Sequence, residues 1–307
     1  RPPHRWVPLH LPAGDLVRLV ARRPRGEGTG RAAVLAADPP RPDPAAEFDA
    51  AVRLAEQADV AVVVVGTTDD VESEGFDRTD LRLPGDQDAL VRAVAAVNPR
   101  TVAVVNSGGP VALPWRHEVA AVLLTWFPGQ ETGHGLADVI FGDREPGGRL
   151  PTTWADEPLV GTTPAGGVLR YDEGLHLGHR GYLRAGVEPS YWFGHGLGYT
   201  TWSYESLEVD GLRARVRLRN TGDRAGRELV QLYLSRPDSA VERPARWLAA
   251  FTHVDAGPGE TVHADLDIPP TALRHWSTTH HRWETEPGEF TVLIGRSAGE
   301  SILEGVV

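Results

Sequence analysis

A chain of 307 residues is long enough for two domains that each bury a core, and its formal net charge of −11 excludes the one-sided positive surface of a nucleic-acid binder. With no cysteine, neither disulfides nor thiolate metal sites hold the fold, and with no run of about 18 apolar residues a helical membrane span is excluded. All 31 basic residues are arginine and methionine is absent, so a sequence opening on Arg1-Pro-Pro-His is expected to be part of a longer chain whose cellular location stays open.

Residues 1–44 hold two short apolar runs, Leu16-Val-Arg-Leu-Val20 and Ala32-Ala-Val-Leu-Ala36, which predict a hairpin of a β-rich module. Gly26, Gly28 and Gly30 between them have no buried strand before and no helix after, so they form no phosphate cradle. The prolines of Asp38-Pro-Pro-Arg-Pro-Asp-Pro44 then stop regular structure and predict a linker. From Ala45 the period becomes helical, with Phe48, Ala51, Val52 and Ala55 on one face. Val60-Ala-Val-Val-Val-Val-Gly66 reads as a strand buried on both faces of a parallel sheet. Leu90, Val94 and Val97 mark a second helix, which Pro99 ends, and two further buried strands follow at 102–105 and 119–124. A helix over about 130–141 completes an α/β domain expected over residues 45–165, with right-handed crossovers onto a parallel sheet.

Residues 166–201 are rich in glycine and aromatics. They read as an irregular connection lying against the first domain, because Tyr171, Tyr182, Tyr191, Trp192 and Phe193 are costly to leave in water. From Trp202 the period is two: Leu212, Ala214, Val216 and Leu218 alternate with four arginines, Asn220-Thr-Gly222 turns the chain, and further strands are expected at 229–234, 262–268 and 290–294. Residues 202–307 are therefore predicted to be an immunoglobulin-like β-sandwich, and the fold class is a partial parallel α/β sandwich followed by an all-β domain.

Ligands gather at the carboxyl ends of parallel strands, so the loop after residue 66 is the candidate active-site segment. It carries Asp69, Asp70, Glu72, Glu74, Asp77 and Asp80 within twelve residues, and by composition alone it reads first as a solvated acidic turn. Other clusters point away from chemistry. His275, His280 and His281 beside Trp276 and Trp283 lie in a predicted strand-connecting loop with no carboxylate at ligand spacing, so no metal site is expected. Ser107 lacks a nucleophile-elbow setting, Trp115, Trp126 and Trp154 read as core, and Gln130 and Glu131 open a helix.

The run Glu72-Ser-Glu74-Gly-Phe-Asp77-Arg78-Thr-Asp-Leu-Arg-Leu-Pro84-Gly-Asp-Gln87 resembles the acid/base loop of glycoside hydrolase family 3, the β-glucosidase and β-xylosidase family. Asn106-Ser-Gly-Gly-Pro-Val111, Phe127-Pro-Gly-Gln-Glu131, Pro146-Gly-Gly-Arg-Leu-Pro151, Tyr171-Asp-Glu-Gly174 and Phe193-Gly-His-Gly-Leu-Gly-Tyr-Thr200 follow in the family's order. Asn220-Thr-Gly222, Gly226-Arg-Glu-Leu-Val-Gln-Leu-Tyr233, Arg243-Pro244 and Pro287-Gly-Glu-Phe290 resemble its fibronectin type III-like module.

The resemblance implies the C-terminal part of a retaining hydrolase of terminal β-linked sugars. Glu74 would be the acid/base, Glu72 the second candidate, and Asp77 and Arg78 an ion pair shaping the loop, with Gly75 permitting a tight path. Residues 1–44 would be the tail of a protective-antigen-type module inserted in the α/β domain. The family's nucleophile sits on an N-terminal (β/α)8 barrel that nothing here resembles, so that barrel, in cis or in trans, is the implied partner beside a β-glycoside substrate. No cofactor, nucleic acid or membrane is implied, and the chain alone would be inactive. The alternative is a non-catalytic carbohydrate-associated scaffold or binding module.

Overall fold

The structure, a computed structural model, describes residues 43–161 and 164–307, so the hairpin, glycines and linker expected before residue 43 lie outside the described residues. Helix α1 (Pro44–Gln57) starts where Asp43 accepts from the Ala45 N–H at 3.1 Å and proline occupies a first-turn position that needs no donor. Its last carbonyls are taken by a distant side chain: Asn98 Nδ2 donates to Ala55 O and Ala58 O, each at 2.9 Å. Asn98 itself follows helix α2 (Gln87–Val97), which ends two residues before Pro99 as expected.

Strands β1 (Ala61–Gly66), β2 (Thr101–Asn106) and β3 (Ala121–Leu124) form a parallel sheet in that order. Ala61, Val63 and Val65 of β1 pack with Val91 and Val94 of α2 and with Ala103 and Val105 of β2. The other face differs from expectation. Val62 and Val64 are 44 % and 60 % exposed, so β1 is buried on one face only. Among the described residues it is an edge strand, and no described element removes those two valines from water; β2, between two neighbours, is the strand buried on both faces. A 3-10 turn at Gly129–Glu131 leads into α3 (Thr132–Phe141), which ends on Gly142 in the left-handed region.

The aromatic connection contains one short helix, α4 (His179–Ala185), and it bridges two cores instead of lying against the first alone. Tyr191 packs with the α/β core, whereas Trp192 and Phe193 pack on Tyr233, Leu293 and Ala298 of the second domain. Tyr171 is 73 % exposed, contrary to its predicted burial. No described neighbour covers its ring.

The second domain pairs a sheet of β4 (Trp202–Asp210), β5 (Arg213–Asn220) and β8 (Thr261–Asp267) with one of β6 (Gly226–Ser235), β7 (Trp247–Ala256), β11 (Thr291–Gly295) and β12 (Leu303–Val306). Ala214, Val216 and Leu218 of β5 face Val230, Leu232 and Leu234 of β6 in one core. The arginines on the outer face of β5 meet carboxylates across the sheet: Arg213 and Asp267 at 3.2 Å, Arg215 and Asp265 at 2.7 Å, Arg217 and Glu205 at 2.8 Å. The expected loop around the histidines is instead a hairpin of β9 (Arg274–Ser277) and β10 (Arg282–Thr285), in which Trp276 and Trp283 pair across the strands with ring centroids 5.7 Å apart. Cross-strand aromatic pairing of this kind stabilises a two-stranded ribbon.

Candidate active-site loop

Gly66 ends β1 so close to β2 that a Cβ there would collide with Asn106 O. Among the described residues no strand pairs with the outer edge of β1, and a side chain takes up the backbone groups of Gly66 there. Gln87 accepts from Gly66 N–H at 2.7 Å and donates to Gly66 O at 2.9 Å and to Pro84 O at 2.9 Å. The chain then folds back at once, with the N–H groups of Val71 and Glu72 both donating to Thr68 O at 2.9 Å. Glu72 Oε2 accepts from Thr67 Oγ1 at 2.5 Å and from Gly108 N–H at 3.2 Å.

Glu74 follows on a turn closed by a single antiparallel bridge between Ser73 and Phe76, with Gly75 N–H donating to Ser73 Oγ at 3.2 Å; its side chain is exposed. Gly75 is not in the left-handed region, and a Cβ there would meet only Ser73 Oγ at 3.7 Å. The tight path expected of it is thus made by the bridge and the serine, not by glycine's freedom.

The Asp77–Arg78 ion pair is not formed among the described residues. Arg78 Nη1 donates instead to Pro110 O at 3.0 Å, a fixed and partly buried acceptor, and Asp77 is exposed, where an ion pair gains little. Asp80 pairs with Arg82 instead. Asp80 accepts from both the backbone and the guanidinium of Arg82 at 2.9 Å, and the guanidinium bond, then the backbone bond, hold its carboxyl below the ordinary range. Leu81 O accepts from Ala112 N–H at 2.7 Å, and Leu83 is buried. These pins leave a cleft of about 580 Å³ lined by Asp70, Phe76, Asp77, Arg78, Arg82 and Asp88 among others.

The residues set aside on sequence have ordinary structural tasks. Ser107 is buried and donates to Gly109 O at 2.8 Å. Trp115 and Trp154 are core residues whose ring N–H groups reach Asp88 at 2.7 Å and Val111 O at 2.6 Å, while Trp126 is partly buried edge-on to Trp154 at 5.8 Å. Gln130 and Glu131 lie in the turn before α3, where Glu131 is 2.8 Å from His134 Nδ1. Among the described residues no group of three or more His, Cys, Asp or Glu is placed to hold a metal.

Sequence reasoning placed the loop but missed Thr67, Gln87 and Gly108 as the residues that hold it. Gln87 and Gly108 stood inside the quoted motifs, and a glutamine after Pro-Gly-Asp at a helix start is the one signal that pointed to a tethering side chain.

Residues 14–199 match the profile of the glycosyl hydrolase family 3 C-terminal domain, and residues 228–298 match that of the fibronectin type III-like domain. A beta-glucosidase of Rhizobium radiobacter is 40 % identical over 264 residues, covering 81 % of this chain and 32 % of its own length. Thermostable beta-glucosidase B of Acetivibrio thermocellus is 38 % identical over 267 residues, with 83 % and 35 % covered. The chain therefore spans about a third of these relatives. Among solved structures, DesR, a beta-glucosidase from Streptomyces venezuelae in complex with D-glucose, aligns with a TM-score of 0.79 at 32 % identity over 86 % of this chain and 35 % of its own. The Bifidobacterium adolescentis GH3 beta-glucosidase aligns with a TM-score of 0.81 at 34 % identity, over 87 % and 41 %. An α/β domain and a β-sandwich in this order, the motif-bearing loop at the sheet's carboxyl end and these matches together make the chain a member of the glycosyl hydrolase family 3 C-terminal domain family, carrying a fibronectin type III-like domain after it.

Proposed function

We propose that this chain is the C-terminal part of a retaining glycoside hydrolase acting on terminal β-linked sugars, β-glucosides among them, and that Glu74 is its acid/base. The observation carrying this reading is the division of labour between two glutamates two residues apart: Glu72 is bonded to Thr67 and Gly108, while Glu74 stands exposed on the turn beyond them. The names of the relatives support the substrate class.

Retention needs a nucleophilic carboxylate and an acid/base carboxyl about 5–5.5 Å apart. In the first step the nucleophile attacks the anomeric carbon while Glu74 gives its proton to the departing glycosidic oxygen. In the second, Glu74 takes a proton from water as that water displaces the enzyme carboxylate from the sugar. The nucleophile belongs to a barrel joined to or docked on this chain. That barrel would also cover Glu74 and close the site to bulk water.

The isolated chain is accordingly expected to show no turnover of an aryl β-glucoside, and turnover by it alone contradicts the division of carboxylates. With the barrel present, Glu74→Ala should lose most activity on poor leaving groups, and on good leaving groups azide should restore part of the rate by displacing the enzyme carboxylate from the sugar in place of base-activated water, leaving a glycosyl azide. Unchanged rates remove Glu74 from the role.

A further inference from the structure

We infer that Glu72 is the positioning residue for Glu74, tying the loops after β1 and β2 together through one carboxylate oxygen so that the turn carrying the proton donor leaves the sheet at a fixed place. This rests on the reading of Glu74 as acid/base and gives the motif's other glutamate a separate task.

Three loops converge here. Thr67 directly follows β1 and donates its N–H to Asn106 O at 3.1 Å, Gly108 lies two residues past β2, and Phe127 lies in the segment after β3. Glu72 Oε2 is the common acceptor for Thr67 Oγ1 and Gly108 N–H. Gly108 admits it only because it has no side chain: a Cβ would collide with Glu72 Oε1 and stand 2.9 Å from Phe127 Cε2. A carboxylate engaged as a double acceptor is poorly placed to donate a proton, which separates its task from that of the exposed Glu74. Two residues of chain reach at most about 7 Å, so the Glu72 anchor bounds how far the Glu74 backbone can move from it. A displacement of about 1 Å is enough to reduce turnover on the order of 100-fold.

Both hydrogen bonds end on the same oxygen, and that makes the inference testable. The carbonyl oxygen of a glutamine can accept both, whereas an alanine accepts neither. In the barrel-containing enzyme, with aryl β-glucosides of poor and good leaving groups, Glu72→Gln should stay within about fivefold of wild type, and Glu72→Ala should lose about 100-fold in kcat on the poor leaving group with KM within about threefold. Azide should not restore Glu72→Ala, because Glu74 still occupies the position that azide would fill. Thr67→Val, which removes one bond with little volume change, is the milder variant should alanine unfold the loop; it should lose about tenfold and add little on top of Glu72→Ala.

A Glu72→Gln enzyme as impaired as Glu72→Ala, or azide rescue of Glu72→Ala, makes Glu72 a catalytic carboxylate and overturns the inference. So does a Glu72→Ala enzyme with wild-type kcat beside an impaired Glu74→Ala. An unimpaired Glu74→Ala overturns the underlying reading of Glu74, and the inference falls with it.

Discussion

Arg149 Nη2 and Glu228 Oε2 lie 3.5 Å apart with side chains 7 % and 6 % exposed, joining the segment after α3 to the start of strand β6. Glu228 Oε1 accepts from the Tyr204 hydroxyl at 2.9 Å and has Arg296 Nε at 3.5 Å. One residue away, Arg227 N–H donates to Glu145 at 2.7 Å, which also takes the Tyr199 N–H at 2.7 Å. The α/β domain and the sandwich therefore meet through a buried ionic cluster as well as through aromatic packing, and breaking one member leaves its partner charged and dry.

Burial, more than any other influence, pushes the Glu228 carboxyl above its ordinary range; Tyr204, Arg149 and Arg296 oppose that shift and Glu145 adds to it. A carboxyl whose folded pKa exceeds its unfolded one contributes stability below the unfolded pKa and loses it as pH rises through the folded value. Wild type should therefore lose stability relative to Glu228→Gln as pH is raised from about 4 to about 7. Urea midpoints of both proteins at the two pH values measure this, and a gap that stays constant or moves the other way contradicts it.

Gln87→Ala should destabilise the α/β domain by about 1–3 kcal/mol, because it strips the partners from both backbone groups of Gly66. Gln87→Glu should restore only the bond from Gly66 N–H, since a carboxylate cannot donate to Gly66 O or Pro84 O. Denaturant unfolding ranks the three proteins; a glutamate variant as stable as wild type is the contrary result.

Asn220 is fully buried and uses its whole amide: Nδ2 donates to Arg224 O at 2.8 Å and Ala256 O at 3.0 Å, and Oδ1 accepts from Gly222 N–H at 3.0 Å and Thr200 Oγ1 at 2.6 Å. Asn220→Ala should cost about 3 kcal/mol or more, and Asn220→Asp no less, since it buries a charge against two carbonyls. Thermal melts distinguish this from an exposed turn residue, whose change stays within about 0.5 kcal/mol.

Leu218→Ala, in the dry centre of the sandwich, should cost about 2–5 kcal/mol through lost burial and a cavity. Val64→Ala in this same chain should stay within about 0.5 kcal/mol, because the side chain is already wet. Equal losses at the two sites would show that the outer face of β1 is covered in solution.

Short-range pattern sufficed wherever one element alone decides the outcome. The 3.6-residue spacing of Phe48, Val52 and Ala55, the break at Pro99 and the strict alternation of Val216 and Leu218 with arginines are local properties, and α1, α2 and β5 follow them. β7 was missed although Thr252, Val254 and Ala256 alternate with His253 and Asp255, because the start of that strand, Trp247-Leu-Ala-Ala, shows no period of two. The motif order sufficed for the family and for the loop that carries Glu74.

What the sequence determined by itself was therefore periodicity, punctuation and motif: the helices of the first domain though not α4, most strands, the two fold classes and the place of the candidate loop. Only the tertiary structure decided which face of β1 is wet, that Trp276 and Trp283 pair on a hairpin, and that Arg78 goes to Pro110 and not to Asp77. It alone brought Gln87 to Gly66, 21 residues away, and Gly108 to Glu72, 36 residues away. Such partners are chosen by how the sheet and its loops stack in space, and a side chain with several equivalent acceptors carries no mark in the sequence of which one will stand within 3 Å of it.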